Sequence, residues 1–376
     1  SFGHGAGDEL LRVIGKRLRD CVRPADTVAR FGGDEFAVLL EHTNLAEPLD
    51  VVDRLYAAVS YPLRLGDEEV LVHLSVGMTS LGGRKVGSEE LLAEADAAMY
   101  AAKARGKNRY EIFESSMRTA SELRSQLRIE LGDALIGREF QLYYQPLVDL
   151  TTGEWKGIEA LARWPHPDHG LLEPSDFIDI AEAKGLVIEL DRWALNAACN
   201  AVAALPELTV TVNVSGRSVR NHEFSEIVKA ALRDSGLDGS RLVIDIADLA
   251  RDPERARAQI RSVQALGVAV SLDEFTGDIP SLRRLRTLDL AYLKIDHMLV
   301  SDLATGKGAA TIAGALIDIA HELGMRAVAM GVETDEQRAM LTALECDLGQ
   351  GYFWARPAPI ENLAADLASH NAAANS

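Results

Sequence analysis

The sequence predicts an α/β protein in two parts: a mixed α+β unit over residues 1–113 and a (β/α)8 barrel over residues 123–370, joined by a linker at 114–122. Three observations predict it. A Gly-Gly turn lies between two short apolar runs near the N-terminus, with helical patterns on either side. From residue 141 onward, eight strand-like runs alternate with helical patterns. Those eight runs end, one after another, on polar residues.

The first part opens on a helix, because Leu10, Leu11, Ile14 and Leu18 fall on one face at helical spacing. TVARF (27–31) and FAVLL (36–40) flank GGDE, a hairpin signal in which Gly32 and Gly33 allow the torsions of a tight turn. A helix over 47–59, a strand over 70–78, a helix over 91–104 closed by Gly106 and a last strand over 109–113 complete the unit. Residues 114–135 read as a helix joining the two parts, and the boundary falls in their most polar stretch, 114–122. The barrel strands are expected at 141–148, 155–164, 209–215, 242–248, 268–275, 291–296, 327–333 and 351–354. Helices are expected between most of them, at 190–204, 223–235, 254–266 and 308–323, and the Ala-rich tail 364–376 reads as a final helix.

Bulk properties narrow the function classes. Of 376 residues, 47% are hydrophobic and 26% charged, which places the chain among soluble globular proteins. A formal charge of −18 argues against loose binding to nucleic acid or an anionic membrane, though not against a phosphate ligand gripped by local cations. Cys21, Cys199 and Cys346 lack metal-ligand spacing and read as free thiols in a reducing cytoplasm. No apolar run approaches the roughly 18 residues of a membrane span, and no signal peptide opens the chain. The expected location is therefore the cytoplasm, with membrane attachment left to sequence beyond this chain. The start at Ser1, without an initiator Met and almost inside a helix, reads as a fragment.

The polar strand ends are Glu159, Asn213, Asp245 with Asp248, Asp273 with Glu274, Lys294 with Asp296, Glu333 and Gln350. In such barrels the C-terminal strand ends converge on one face, where active sites sit. Clustered carboxylates repel unless a cation neutralises them, and all-oxygen ligands suit Mg²⁺ or Mn²⁺. Paired metals of that kind catalyse phosphoryl displacement, with Lys294 a candidate to accept a proton from water. Trp155, Trp164 and Trp193 read as packing residues. His166 and His169, in WPHPDHG, read as part of a Pro-rich loop rather than as metal ligands.

At this point the motifs resemble known families. FGGDEF (31–36) resembles the signature of GGDEF domains, the diguanylate cyclases. EAL (159–161), inside YQPLV…GIEALARW, resembles that of EAL domains, the cyclic di-GMP phosphodiesterases. The resemblance covers nearly the whole chain and implies a nucleotidyl-cyclase-like first unit followed by a TIM-like barrel. In the first unit it implies that Asp8 recognises guanine, that Asp34 and Glu35 lie beside catalytic metals, and that Gly32 and Gly33 admit the nucleotide to the backbone. Lys103 and Lys107 match residues that hold triphosphate, and Arg23 with Asp26 matches the RxxD product-inhibition site. The family's preceding strand, with a further metal-binding Asp and a guanine-binding Asn, falls before residue 1. The unit is thus expected to be incomplete and not to cyclise GTP as it stands, whereas the intact protein would make cyclic di-GMP from two GTP as a homodimer behind a sensory domain.

In the barrel the resemblance implies that Glu159, Asn213 and Asp273 are metal ligands, with Asp245 and Glu274 standing at further acidic positions of the metal site. It places Lys294 near the attacking water, Glu333 and Gln350 in the later motifs, and Gln145 and Arg163 on the dinucleotide. Four departures stand against it. Asp245 and Asp248 are one methylene shorter than the family's acids, Glu274 is one longer, the loop glycines have moved, and Met330 replaces a carboxylate. A thioether is a poor ligand for a hard cation. The expected function is a cyclic di-GMP signalling protein whose barrel binds the dinucleotide and hydrolyses it weakly or not at all. A barrel that still cleaves cyclic di-GMP to pGpG, or a non-catalytic scaffold, remain the alternatives.

Overall fold

The computed structural model describes residues 3–41, 47–65, 68–70, 72–81, 84–106, 108–205, 208–246, 253–272, 288–303, 306 and 308–363. Contacts gather into two units, Ser1–Gln126 and Leu127–Ser376.

In the first unit, Ile14 and Leu18 of the helix Gly3–Asp20 pack with Val51, Leu55 and Val59 of the helix Glu47–Ser60, as their apolar spacing requires. β1 (Thr27–Gly32) and β2 (Glu35–Leu39) form the antiparallel hairpin, with Gly32 opposite Glu35 and Gly33 at φ 51°. That left-handed conformation suits a residue without Cβ. The single strand expected over 70–78 is divided. β3 (Leu63–Leu65) pairs antiparallel with β4 (Glu68–Val70), while β5 (Val76–Met78) pairs in parallel with β6 (Tyr110–Ile112). The run changes partner part-way, so its hydrogen-bond ladder breaks. Gly77 lets β5 lie directly on the helix Ser88–Ala104, where a Cβ would overlap the Ala95 carbonyl and the Met99 amide. The stretch 114–122 lies within the helix Ser115–Gly137, apart from Glu114.

The second unit is a closed barrel. Its strands are β7 (Gln141–Asp149), β8 (Trp155–His166), β10 (Thr209–Val214), β11 (Leu242–Ile246), β12 (Ala269–Leu272), β13 (Tyr292–Ile295), β14 (Arg326–Met330) and β15 (Leu348–Gln350), with β9 (Gly170–Leu172) appended to β8. Sheet order runs from β10 to β15, then β7 and β8, and pairing of β8 with β10 closes the circle. A uniform (β/α)8 repeat would make every pair parallel, but β7 runs antiparallel to both neighbours. Only residues 150–154 join β7 to β8, and a parallel pair needs a crossover of about a dozen residues or more. The Asp149 carboxylate fixes that turn by accepting the amides of Thr151 and Thr152 at 3.1 and 3.0 Å.

Other strand ends also moved. The run expected at 351–354 is a turn, and the strand is the preceding Leu348–Gln350. Gly351 lies so close to the Val332 backbone that a Cβ would overlap it, and Phe353 donates its amide to the Val332 carbonyl. β14 stops at Met330 because Gly331 turns at φ 73°, so Glu333 lies beyond the strand. Trp164, Pro165 and His166 belong to β8 rather than to a loop, since they pair with Leu172, Leu171 and Gly170 of the β8–β9 hairpin. The ring of His166 is buried, its Nε2 is 2.6 Å from Glu130, and Nδ1 accepts the Asp168 amide. Trp164 packs against Phe140 and Phe177, and its Nε1 donates to Glu139. Residues 247–252, 273–287 and 364–376 fall outside the described residues, and with them Asp248, Asp273, Glu274 and the expected final helix; Lys107 does too.

The Gly351 contact gives a direct test. Gly351→Ala is expected to destabilise the barrel by about 1–3 kcal/mol through overpacking, read as a lower urea midpoint at unchanged slope. A midpoint equal to that of the unsubstituted chain would refute the close approach.

Candidate active site

Side chains alternate along each barrel strand, so one set of positions points into the barrel. On β8 that set includes Glu159, opposite Gln145 of β7 and Thr211 of β10. Asn213 lies two residues beyond Thr211 and opposite Asp245 of β11, which in turn faces Ser271 of β12. Lys294 of β13 lies opposite Val328 of β14, and Met330 lies opposite Gln350 of β15. The register alone therefore gathers polar groups from seven strands into one layer.

Their contacts form a connected network. The Glu159 Oε1 accepts from Asn213 Nδ2 at 2.8 Å and from Lys294 Nζ at 3.1 Å, and Oε2 accepts from Gln350 Nε2 at 2.6 Å. Lys294 also pairs with Asp245 Oδ2, while Ser271 Oγ donates to Asp245 Oδ1 at 2.6 Å. Gln350 Nε2 reaches Gln145 Oε1 at 3.0 Å, and Gln145 Nε2 donates to the Ala355 carbonyl. Glu159, Asp245 and Lys294 are 5%, 0% and 7% exposed, so their charges compensate one another in a low-dielectric interior. Burial pushes the Glu159 carboxyl up, but the Lys294 charge and the donors Asn213, Gln350 and Lys294 outweigh it and hold the group below the usual carboxylate range. The same layer encloses a cavity of about 10 Å³ with Thr211, Val243 and Tyr292 in its walls, at the limit of what one water fills.

Around this layer, Arg163 is 7% exposed, donates to the Ala162 carbonyl and lies 3.4 Å from Glu173 Oε1. Glu333 is exposed. Met330 packs with Leu147, Val328 and Leu348, an apolar wall at the position where the family resemblance implies a carboxylate. Among the described residues no three His, Cys, Asp or Glu side chains meet as a metal cluster. Glu159, Asp245 and Asn213 nevertheless carry the oxygen donors that a hard divalent cation prefers.

The first unit carries its candidates on several elements. Asp34 and Glu35 stand exposed at the hairpin tip with Gly32 and Gly33, whose carbonyl at Gly33 accepts from Arg30. Asp8 is exposed on the helix Gly3–Asp20, and Lys103 is exposed near the end of Ser88–Ala104. Asp26 is 5% exposed, and its two oxygens accept the backbone amides of Arg23 at 2.9 Å and Glu41 at 3.1 Å. It fixes the turn that presents Arg23, a role no surface ion pair would give it.

Sequence reasoning missed Ser271, Asp191, Ser215 and Ser218. Ser271 sits inside an apolar run, and its signal is the alternation that puts it two residues before Asp273. Asp191 lies on the buried face of the helix Val187–Ala203, and its Oδ2 accepts from Ser215 N, Ser215 Oγ and Ser218 Oγ. Burial pushes its carboxyl up to about 6, against hydrogen bonds from Ser218 and Ser215 that pull it down.

Comparison with known proteins assigns the family. The EAL domain profile matches residues 128–357, and the profile "Diguanylate cyclase, GGDEF domain" matches residues 1–109. The chain belongs to the EAL family, with a GGDEF domain ahead of the barrel. It is 35% identical over 375 residues to the bifunctional diguanylate cyclase/cyclic di-GMP phosphodiesterase MucR of Pseudomonas aeruginosa, covering 98% of this chain and 55% of MucR. It is 35% identical over 370 residues to the cyclic di-GMP phosphodiesterase NbdA of the same organism, covering 96% of this chain and 47% of NbdA. The chain thus spans about half the length of these relatives. The structure of the PaMucR phosphodiesterase in its c-di-GMP complex superposes with a TM-score of 0.60 at 33% identity, covering 63% of this chain and 99% of that one. The EAL barrel and the GGDEF unit place the chain in cyclic di-GMP signalling, among families of divalent-metal-dependent cyclases and phosphodiesterases. No helix among the described residues is long and apolar enough to cross a membrane.

Two predictions follow from the EAL network. Lys294→Met leaves Glu159 and Asp245 buried without their shared cation, and is expected to cost about 3–5 kcal/mol in urea unfolding at neutral pH. An unchanged midpoint would mean the acids are compensated elsewhere. Asp191 binds its proton more tightly folded than unfolded, so the stability it contributes is full below about pH 4 and is lost as pH rises through about 6. Between those limits the urea midpoint of Asp191→Asn is expected to gain on that of the unsubstituted chain. Parallel curves would show that Asp191 does not titrate there.

Proposed function

We propose that the EAL barrel binds cyclic di-GMP and hydrolyses it weakly or not at all, and that the GGDEF domain, in the intact protein, makes cyclic di-GMP from two GTP as a homodimer under an upstream sensory domain. The observation that carries the barrel reading is the coexistence of an intact polar layer with an apolar Met330. Gln145, Glu159, Asn213, Lys294 and Gln350 stand ready at the strand ends, and Arg163 lies on the same strand as Glu159. Met330 adds to the apolar wall of Leu147, Val328 and Leu348 and offers no oxygen.

Binding and hydrolysis make different demands on these residues. A phosphodiester needs compensating positive charge and amide donors; Arg163, Gln145 and Gln350 would contribute these, and a divalent cation would offset the residual negative charge of the Lys294 network. With Mg²⁺ or Mn²⁺ held by Glu159, Asn213 and Asp245, together with Asp273 and Glu274, Lewis-acid polarisation of a phosphoryl oxygen becomes available. Hydrolysis further requires a general base at the attacking water, and Lys294, an ammonium paired with two carboxylates, can accept a proton only after giving up its own. In-line attack also tolerates little misplacement of its ligands. The shortened Asp245 and the apolar Met330 therefore weigh on rate more than on affinity. Glu333, exposed beyond β14, completes the catalytic set by family position.

A second reading, an active phosphodiesterase giving pGpG, is favoured by the 35% identity to MucR and NbdA, both named for that activity. The deciding experiment incubates the 376-residue chain with cyclic di-GMP and Mn²⁺ or Mg²⁺, follows nucleotides by chromatography and measures affinity by calorimetry. Tight binding with the ligand recovered intact is the expected result, and many turnovers per hour would establish the second reading instead. Met330→Glu is expected to raise any residual hydrolysis by about tenfold or more while leaving affinity within a few-fold. An unchanged rate would acquit Met330.

A further inference from the structure

Asp191 belongs to none of the strands that build the polar layer, yet it is one of the few buried charges of the barrel. It lies on the helix Val187–Ala203, is 5% exposed, and directs a single oxygen, Oδ2, at three donors. These are the Ser215 amide at 2.9 Å, the Ser215 hydroxyl at 2.7 Å and the Ser218 hydroxyl at 2.7 Å. Ser215 is the residue at which β10 ends and the short helix Gly216–Val219 begins, and its own Oγ accepts the Ser218 amide at 3.1 Å. Two residues earlier on the same strand, Asn213 reaches Glu159.

We propose that Asp191 is a positioning residue of the EAL site: by clamping Ser215 and Ser218 it fixes the C-terminal end of β10, and so holds the Asn213 amide oxygen towards a divalent cation. The inference rests on the reading of Glu159, Asn213 and Asp245 as the cation's oxygen ligands. Its physical basis is the exit from the strand. Past Val214 the ladder with β11 ends, and the chain turns into a helix of four residues that cannot hold its own start. There the Ser215 amide donates to the Asp191 carboxylate, which serves as its acceptor at the strand exit. Rotation of Ser215 about its backbone would carry Asn213 off Glu159, because only Val214 lies between them. A neutral amide oxygen would hold these donors more weakly, because hydrogen bonds to an ionised acceptor are about twice as strong as neutral ones. The raised proton affinity of Asp191 shows that its burial costs stability at neutral pH, and such a cost is tolerated where a site must be held.

The test uses the full chain at pH 7.5, with Mn²⁺ alone as probe, titrated by the loss of the free-ion electron paramagnetic resonance signal. The binding event removed by Asn213→Ala defines the barrel site. Asp191→Ala is expected to weaken that event by about 10- to 100-fold, with Asp191→Asn between the two. Val263→Ala, in the buried face of the helix Pro253–Gln264, serves as a control for lost stability alone, and is expected to leave Mn²⁺ affinity unchanged. Equal Mn²⁺ affinity in Asp191→Ala and the unsubstituted chain would overturn the proposal while leaving the ligand assignment standing. An equal loss in Val263→Ala would also overturn it, by reducing the effect to general destabilisation. Absence of any event that Asn213→Ala removes would bring down the ligand assignment and the clamp with it.

Discussion

Everything in the barrel interior depends on one buried cation. Lys294 stands between Glu159 and Asp245, which come from strands that do not pair with β13, and so ties β8 and β11 to β13 across the barrel. Two carboxylates and one ammonium still leave a unit of negative charge, and desolvation makes such a group costly unless every oxygen has a donor. The structure meets that condition residue by residue. Asn213 and Gln350 share Glu159 with the lysine, and Ser271 takes the Asp245 oxygen that the lysine does not. Amide and hydroxyl groups at neighbouring strand ends are thus a consequence of burying the acids.

The same arrangement sets the terms for ligands. A chain carrying −18 repels an anionic dinucleotide at long range, so attraction must be local, and the local residual charge at the network is also negative. A divalent cation reverses that sign. Met330 matters here for charge as much as for coordination: a carboxylate at its place would add to the attraction for a second cation, whereas its thioether leaves the mouth less negative. The wall it shares with Leu147, Val328 and Leu348 favours the body of a ligand over a metal ion.

How much of this was legible in the sequence follows from which signals are local. The hairpin at Gly32 and Gly33, seven of the eight strands and the polar residues Glu159, Asn213, Asp245, Lys294 and Gln350 are written in runs of a few residues, and the structure joins the barrel five into one network. The antiparallel course of β7 was legible too, in the shortness of 150–154, but it was masked by the repeating beat of the strands after it. The run 351–354 looked like a strand because Tyr352, Phe353 and Trp354 have high strand propensity; the close approach of Gly351 to Val332, a tertiary contact, overrode it. Ser271 and Asp191 were hidden for a common reason. Each is a polar residue within an apolar pattern, where periodicity reports only that the position is buried, and its partner lies at least 24 residues away in sequence.

The two halves of the chain solve the problem of holding phosphate chemistry in opposite ways. The barrel buries its acids and satisfies them with its own donors, so its polar layer is organised before any ligand arrives. The GGDEF hairpin does the reverse. Asp34 and Glu35 stand exposed at the tip beside Gly33. Such a turn is held by its own backbone and needs no buried partners. Asp26 shows where that unit does invest in rigidity: its buried carboxylate takes two backbone amides and fixes the turn before β1, leaving Arg23 displayed at the surface.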